Sequence, residues 1–229
     1  MPPAQPNRSL MHGLACLQGV VSAEGPIGSR ALARRLDLEH TRVNRLLGTL
    51  GHLGLVTQTG DRKYVPGPAI HVLSAQSLRG SGLLARALPH LRALADERLT
   101  LALGVLWRHE VCYLVHAAPG QDPADAVGAH RPYPAHDSIL GLALLAAESD
   151  AAIAEVLAGE PDRLPRLRTE IDAVRRTGHA ARVLADGRRS VAVAIGSPAV
   201  AAVSLTGHYD AAREPALLDR LHATADALG

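Results

Sequence analysis

The stretch LARRLDLEHTRVNRLLGTLGHLGLV, residues 32–56, most constrains what this chain can fold into. Two apolar-periodic runs flank the short break Asp37-Leu38-Glu39. In the second run Val43, Leu46, Leu47, Leu50 and Leu53 repeat at the spacing of one helical face, and Gly54 follows where a helix C-terminus favours positive φ. The head of that run is polar: His40, Thr41, Arg42, Asn44 and Arg45. The preceding run starts at Ser29-Arg30, with Ser29 expected as its N-cap and Leu32, Ala33 and Leu36 pointing inward. Upstream, Leu10, Leu14, Leu17 and Val21 predict an earlier helix with these residues along one face. Downstream, Leu55–Gln58 and Lys63–Val65 read as a hairpin turned at residues 59–62, with Arg62 and Lys63 at a basic tip. Helix, helix, turn, helix and ribbon is the order of a winged helix-turn-helix.

The pattern has a chemical consequence. A leucine stripe packs the last helix against its neighbours, so its first turns are free to enter a DNA major groove. Arg pairs with guanine and Asn with adenine, while Thr, His and Ser reach bases or phosphates. The candidate DNA contacts are therefore Ser29, Arg30, His40, Thr41, Arg42, Asn44, Arg45, Arg62 and Lys63. Arg45 has a second reading, as a residue that holds the bundle or a phosphate. Charge agrees with the assignment. Residues 1–66 hold eight Lys and Arg against four Asp and Glu, whereas the remainder holds 16 against 18. The alternative for this head is a helical bundle with a solvated basic face, or a winged helix that binds RNA or protein.

Beyond residue 67 the period changes. Residues 69–78 read as a linker helix, RGSG (79–82) as a hinge, and residues 83–99 as a helix containing Pro89. LALGVLW and VCYLVHA are strand-like, and a third strand is expected through residues 125–129. Helices follow at 139–148, 151–157 and 166–176, then two strands within 190–207 and a last helix at 213–228. The expected organisation is α+β and two-domain: a DNA-binding head over 1–67, a linker over 68–82, and a mixed α/β unit with an antiparallel sheet over 83–229.

Other classes fit poorly. Hydrophobic residues make up 47% of the chain, enough for a core, and no run reaches the roughly 18 apolar residues of a membrane span. MPPAQPNRSL lacks the apolar region of a signal peptide, and Cys16 and Cys112 suggest no disulfide framework, so the expectation is a cytoplasmic protein without a membrane partner. No Gly-x-Ser-x-Gly elbow, Gly-x-Gly-x-x-Gly segment, phosphate-binding Walker loop or His-Glu-x-x-His motif is present, so no enzyme and no cofactor is expected. His109, Cys112 and His116 come nearest to a metal-ligand spacing. On a regular strand only Cys112 and His116 share a face, so no metal site is expected. A metal-dependent sensor or an enzyme using His136-Asp137 as an acid–base pair stands as the remote alternative.

Six segments together resemble the IclR family of bacterial transcriptional regulators, from about Leu10 to His208: the helix-turn-helix above, KYVPGPAIHVL, ARALPHLRALADERLTLALGV, YPAHDSILGLALLA (133–146), RRTGHA (175–180) and AAVSLTG (201–207). The resemblance implies an N-terminal winged helix, a C-terminal GAF-like effector domain, a homodimer or homotetramer on a double-stranded DNA operator, and control by a small, often acidic metabolite. Carried over by position, the effector residues are His136, Ser138, Ile139 and Leu140, with Ser190, Ser204 and Thr206 from the last strands. Amides near Ile139 and Leu140 would cap a carboxylate. The competing reading of the hydroxyls is that they satisfy core backbone. Three departures stand out: Arg182 lies where the family often carries an acid, Leu142 replaces a common basic residue, and the 196–199 turn is tight. Arg182 is counted with the effector residues, and a regulator without ligand control is the alternative.

Overall fold

The computed structural model describes residues 5–128, 130–157 and 161–229. The chain forms two compact units, one ending at Ser81 and one spanning Gly82–Gly229.

In the first unit α1 (Arg8–Val21), α2 (Ser29–Leu36) and α3 (His40–His52) pack around Cys16, Val20, Leu32, Ala33, Val43, Leu47 and Leu50. Asp37 makes the tight turn between α2 and α3 with φ 51, a left-handed conformation that Asp tolerates. Gly54 has φ 70 and ends α3 as expected: its amide donates to the Gly51 carbonyl and the Leu55 amide to that of Leu50. Strands β2 (Val56–Gln58) and β3 (Lys63–Pro66) form the wing, and α4 (Pro68–Ser81) follows.

Several expectations for this unit are corrected. The α1 stripe is split: Leu17 packs against the core, while Leu10, Leu14 and Val21 are 61%, 43% and 46% exposed and Cys16, Gly19 and Val20 are buried. The reason is steric: a Cβ on Gly19 would run into Leu32, so the small-residue face, not the leucine face, lets α2 approach. Ser29 is the first residue of α2 rather than its cap, which is Gly28. A two-residue strand β1 (Ile27–Gly28), too short to leave a period, joins the wing in the order β1-β3-β2. Finally, α4 runs through Arg79, Gly80 and Ser81, so only Gly82, with φ 61, breaks the helix.

The second unit is a six-stranded antiparallel sheet between two helical layers. It contains α5 (Leu83–Leu94), β4 (Thr100–Trp107), β5 (Glu110–Ala117), β6 (Tyr133–Pro134), α6 (Ile139–Leu145), α7 (Asp150–Val156), α8 (Leu164–Thr177), β7 (Ala180–Val183), β8 (Arg189–Ile195), β9 (Ala201–Gly207) and α9 (Glu214–Leu228), with strand order β6-β5-β4-β9-β8-β7. Period-two alternation sorts the side chains. Leu101, Leu103, Val191, Val193, Val203 and Leu205 share one core with α5 and α9. Ala102, Ala192 and Ala202 face the other way, with α6 and α8. Small residues on that face let α6 lie close: a Cβ on Gly104 would already sit 3.1 Å from Leu140.

Here too the structure departs from expectation. Helix α5 stops at Leu94, five residues early, with Pro89 inside it, and α6 stops at Leu145. The expected strand over 125–129 is a short 3-10 turn at Pro123–Ala126 followed by a single bridge between Val127 and Val115; Ala129 lies outside the described residues. Strands β6 and β7 were not foreseen. A register shift beside Leu103 and Gly104 makes β5 bulge at Leu114, so His116 shares a face with Tyr113, its ring 5.4 Å away, and not with Cys112.

Candidate functional site

On α3 the buried Val43, Leu47 and Leu50 leave Thr41, Arg42, Asn44 and Arg45 exposed on the opposite side, continued by Gly48 and Thr49. Arg30 is exposed at the start of α2. Ser29 and His40 instead pair with each other, Oγ to Nε2 at 3.1 Å, tying the heads of α2 and α3 together half-buried. Arg42 reaches back to Nδ1 of His12 at 3.4 Å. At the wing tip Arg62 adopts φ 61 and is exposed. Lys63 is ion-paired with Asp61 at 2.9 Å. That pairing with Lys63, together with the Thr59 hydroxyl, lowers the Asp61 carboxyl to about 2. The wing therefore presents one uncompensated cation rather than two.

The second polar site lies on the alanine face of the sheet. Register partners in an antiparallel sheet point to the same face. Thr100 pairs with Thr206, Thr206 with Ser190 and Ser190 with Arg182, so one polar row crosses four strands. The adjacent row is His116, Ala102, Ser204, Ala192 and Ala180. Within these rows Ser190 Oγ lies 2.5 Å from Thr206 Oγ1, and Ser204 is buried. Above the face Ser138 caps α6, its Oγ accepting from the Gly141 amide at 3.3 Å and lying 3.1 Å from Tyr113 Oη. Ile139 and Leu140 form the first turn of α6, Leu140 is buried, and the Gly141 amide is already taken by Ser138.

Arg182 leaves this row for a charged cleft of 260 Å³ lined by His136, Asp137, Arg163, Arg166, Glu170 and Arg182 among others. It donates to Glu170 at 2.6 Å and to the Asp137 carbonyl at 2.9 Å. Arg163 binds Asp137 and donates to His136 Nε2 at 2.9 Å. A guanidinium only donates, so Nε2 accepts and the His136 ring proton sits on Nδ1. That Nδ1 and the Arg182 Nε are buried without a hydrogen-bond partner among the described residues.

The bulge also brings His116 and His130 into a parallel stack, centroids 4.2 Å apart, with Tyr113 edge-on to both. Burial first, then the neighbouring His130, lowers the His116 pKa below its ordinary value, and burial raises that of Tyr113. Sequence reasoning missed Thr100, Tyr113, His130 and Glu170 as members of this site. Thr100 was hidden by register, Tyr113 by the bulge, and the other two by long sequence separation. Among the described residues no three His, Cys, Asp or Glu side chains are arranged to hold a metal. Burial, then the nearby Glu110, pushes the Cys112 thiol up, away from the thiolate a metal would need.

No family model matches the sequence, and no curated protein does. Solved structures do match over nearly the whole length. An IclR-family transcriptional regulator from Brucella abortus superposes with TM-score 0.80 at 22% identity, covering 100% of this chain and 93% of that one. An IclR-type regulator from a Silicibacter species gives TM-score 0.78 at 24% identity, over 96% and 94% of the two chains. An IclR homolog from Microbacterium hydrocarbonoxydans, solved in complex with 4-hydroxybenzoate, gives 0.68 at 22%, over 96% and 97%. The chain thus has the α+β fold of the IclR-type transcriptional regulators.

Proposed function

We propose that this chain is a sequence-specific DNA-binding transcriptional regulator whose operator binding is modulated by a small anionic metabolite. The observation that carries the reading is the exposed set Thr41, Arg42, Asn44 and Arg45 on the outward side of α3, in a winged helix within a fold shared with known regulators. Arg and Asn there supply base-edge contacts, while Arg30 and Arg62 supply phosphate contacts. The exposed Leu10, Met11, Leu14 and Val21 on α1 support a homodimer, which would double the short site that one recognition helix reads. No helix among the described residues is long and apolar enough to cross a membrane.

The effector would bind over the hydroxyl rows of the second unit, between Ser190, Ser204 and Thr206 and the segment from His136 to Leu140. The neighbour that holds 4-hydroxybenzoate supports a small organic acid as the effector class. The close Ser190–Thr206 and Arg182–Glu170 pairs favour the second reading, a regulator without ligand control, because these groups already satisfy one another.

The test is a salt titration of the protein against DNA duplexes tiling the region upstream of its own gene, followed by 4-hydroxybenzoate and related acids as releasers. Tight binding to one tile that weakens steeply with salt is expected. Binding to every tile no tighter than to random DNA refutes the operator assignment. Operator binding that no acid alters favours the ligand-free reading.

A further inference from the structure

The polar row on the sheet contains one formal cation by register, Arg182, and that charge is spoken for: Glu170 and two backbone carbonyls hold its guanidinium. The rest of the row, Thr100, Thr206 and Ser190, is uncharged. An anion bound over this face therefore needs a different source of positive charge. The nearest titratable groups sharing the face are on β5. His116 is the register partner of Ala102, which is itself the partner of Ser204, so imidazole, methyl and hydroxyl stand side by side.

The imidazole does not stand alone. His130, on the loop before β6, stacks on it at 4.2 Å with the rings 9° apart, and Tyr113 abuts both rings edge-on. Two neutral imidazoles tolerate this stack, as does one neutral ring on one charged ring, but two cations at this distance repel. The pair can therefore hold a single shared positive charge. Among the described residues Tyr113 on β5 abuts the pair, with its Oη engaged by Ser138, and Arg131, a permanent cation, follows His130 directly in the chain. The carboxylates at the neighbouring cleft are occupied, Asp137 by Arg163 and Glu170 by Arg182.

We propose that His116 and His130 are the charge-bearing element of the effector site, and that a carboxylate ligand binds there together with one proton taken up by the pair. This deepens the effector reading above and rests on it. In the free chain burial first, then the neighbouring His130, lowers the His116 pKa and so disfavours its protonation. A bound carboxylate reverses that balance and raises the His116 pKa. Affinity is therefore present at low pH and lost as pH rises through the pKa of the complex. Tyr113 links the pair to Ser138, and Ser138 caps α6, so the same event reaches the helix that covers the sheet.

Calorimetric titration of the full chain with pyruvate and with benzoate, in paired buffers of different ionisation enthalpy, tests this. Close to one proton taken up per ligand near pH 7, and at least ~10-fold tighter binding at about pH 6 than at about pH 8, are expected. His116→Asn and His130→Asn should each abolish the uptake and flatten the pH dependence while operator affinity stays unchanged. Binding without proton exchange, or uptake that survives both substitutions, overturns the proposal and leaves the effector reading intact. Failure of both probes to bind at either pH overturns the carboxylate assignment. The effector reading itself is then judged by the separate operator-release assay.

Discussion

The two units place their polar side chains in opposite ways. In the first, Thr41, Arg42, Asn44 and Arg45 stand in water on a helix whose other side is a plain leucine core. In the second, Ser138, Ser190 and Ser204 are buried between a sheet and a helix, and the neighbouring charges are locked in pairs. An exposed reading surface costs little stability and depends on few neighbours, so single changes there should alter binding alone. A buried polar site is part of the packing, so a change there should alter both stability and response. Each of the following measurements would break or sharpen that contrast.

The largest effect should come from a pair of glycines. In Gly141→Ala the new Cβ meets the Ala135 backbone carbonyl, which cannot swing aside as a side chain would. Urea unfolding should show a loss of about 3 kcal/mol or more. Gly48→Ala, on exposed α3, meets nothing within 4 Å and should gain roughly 0.5–1 kcal/mol from helix propensity. Equal effects of the two would erase the contrast.

Next, Arg42→Ala and Arg45→Ala should each weaken operator binding by roughly 1–3 kcal/mol in fluorescence anisotropy with the melting temperature unchanged. Unchanged affinity for both variants would remove α3 as the reading helix. Ser204→Val, with its hydroxyl buried at 3% exposure, should cost about 1 kcal/mol of stability and blunt the effector response while leaving operator affinity intact. A full response would move the pocket off this face.

Smaller still is the difference at the wing. Arg62→Ala should reduce DNA affinity and its salt slope more than Lys63→Ala, because Asp61 already offsets Lys63. The smallest is a pH effect. His116 has a lowered pKa in the folded chain, so its contribution to stability is present above the unfolded value of about 6.5 and declines as pH falls below it. Thermal melts of His116→Asn should lose that part of the acid sensitivity.

The legibility of the chain follows the same division. Helix α3 was readable because its pattern is local: its leucine spacing, the Asp37 turn and the closing Gly54 all act within a few residues of one another. Which face of α1 is buried was not legible, because leucine spacing locates an apolar stripe but not its partner. Gly19 favours the packing seen, since a Cβ there would run into Leu32. Ser190 and Thr206 were placed from the family resemblance, and the structure sets them in contact. Their neighbours Thr100 and Tyr113 join them through register and a bulge, and His130 from a distant loop, none of which leaves a mark on a linear pattern.

What the sequence by itself determined is the order of the elements, the polar head of α3, and the valine–alanine alternation of β8 that sends large side chains to one core and small ones to the other. These features depend on backbone periodicity, which neighbouring residues fix. Tertiary structure alone decided that Arg182 serves Glu170, that Asp61 offsets Lys63, that Leu10 and Leu14 face outward, and that His116 meets His130. Each of these outcomes is a choice among partners. Charges and rings act through distance in space, and that distance is set only when the strands align and the helices settle on the sheet.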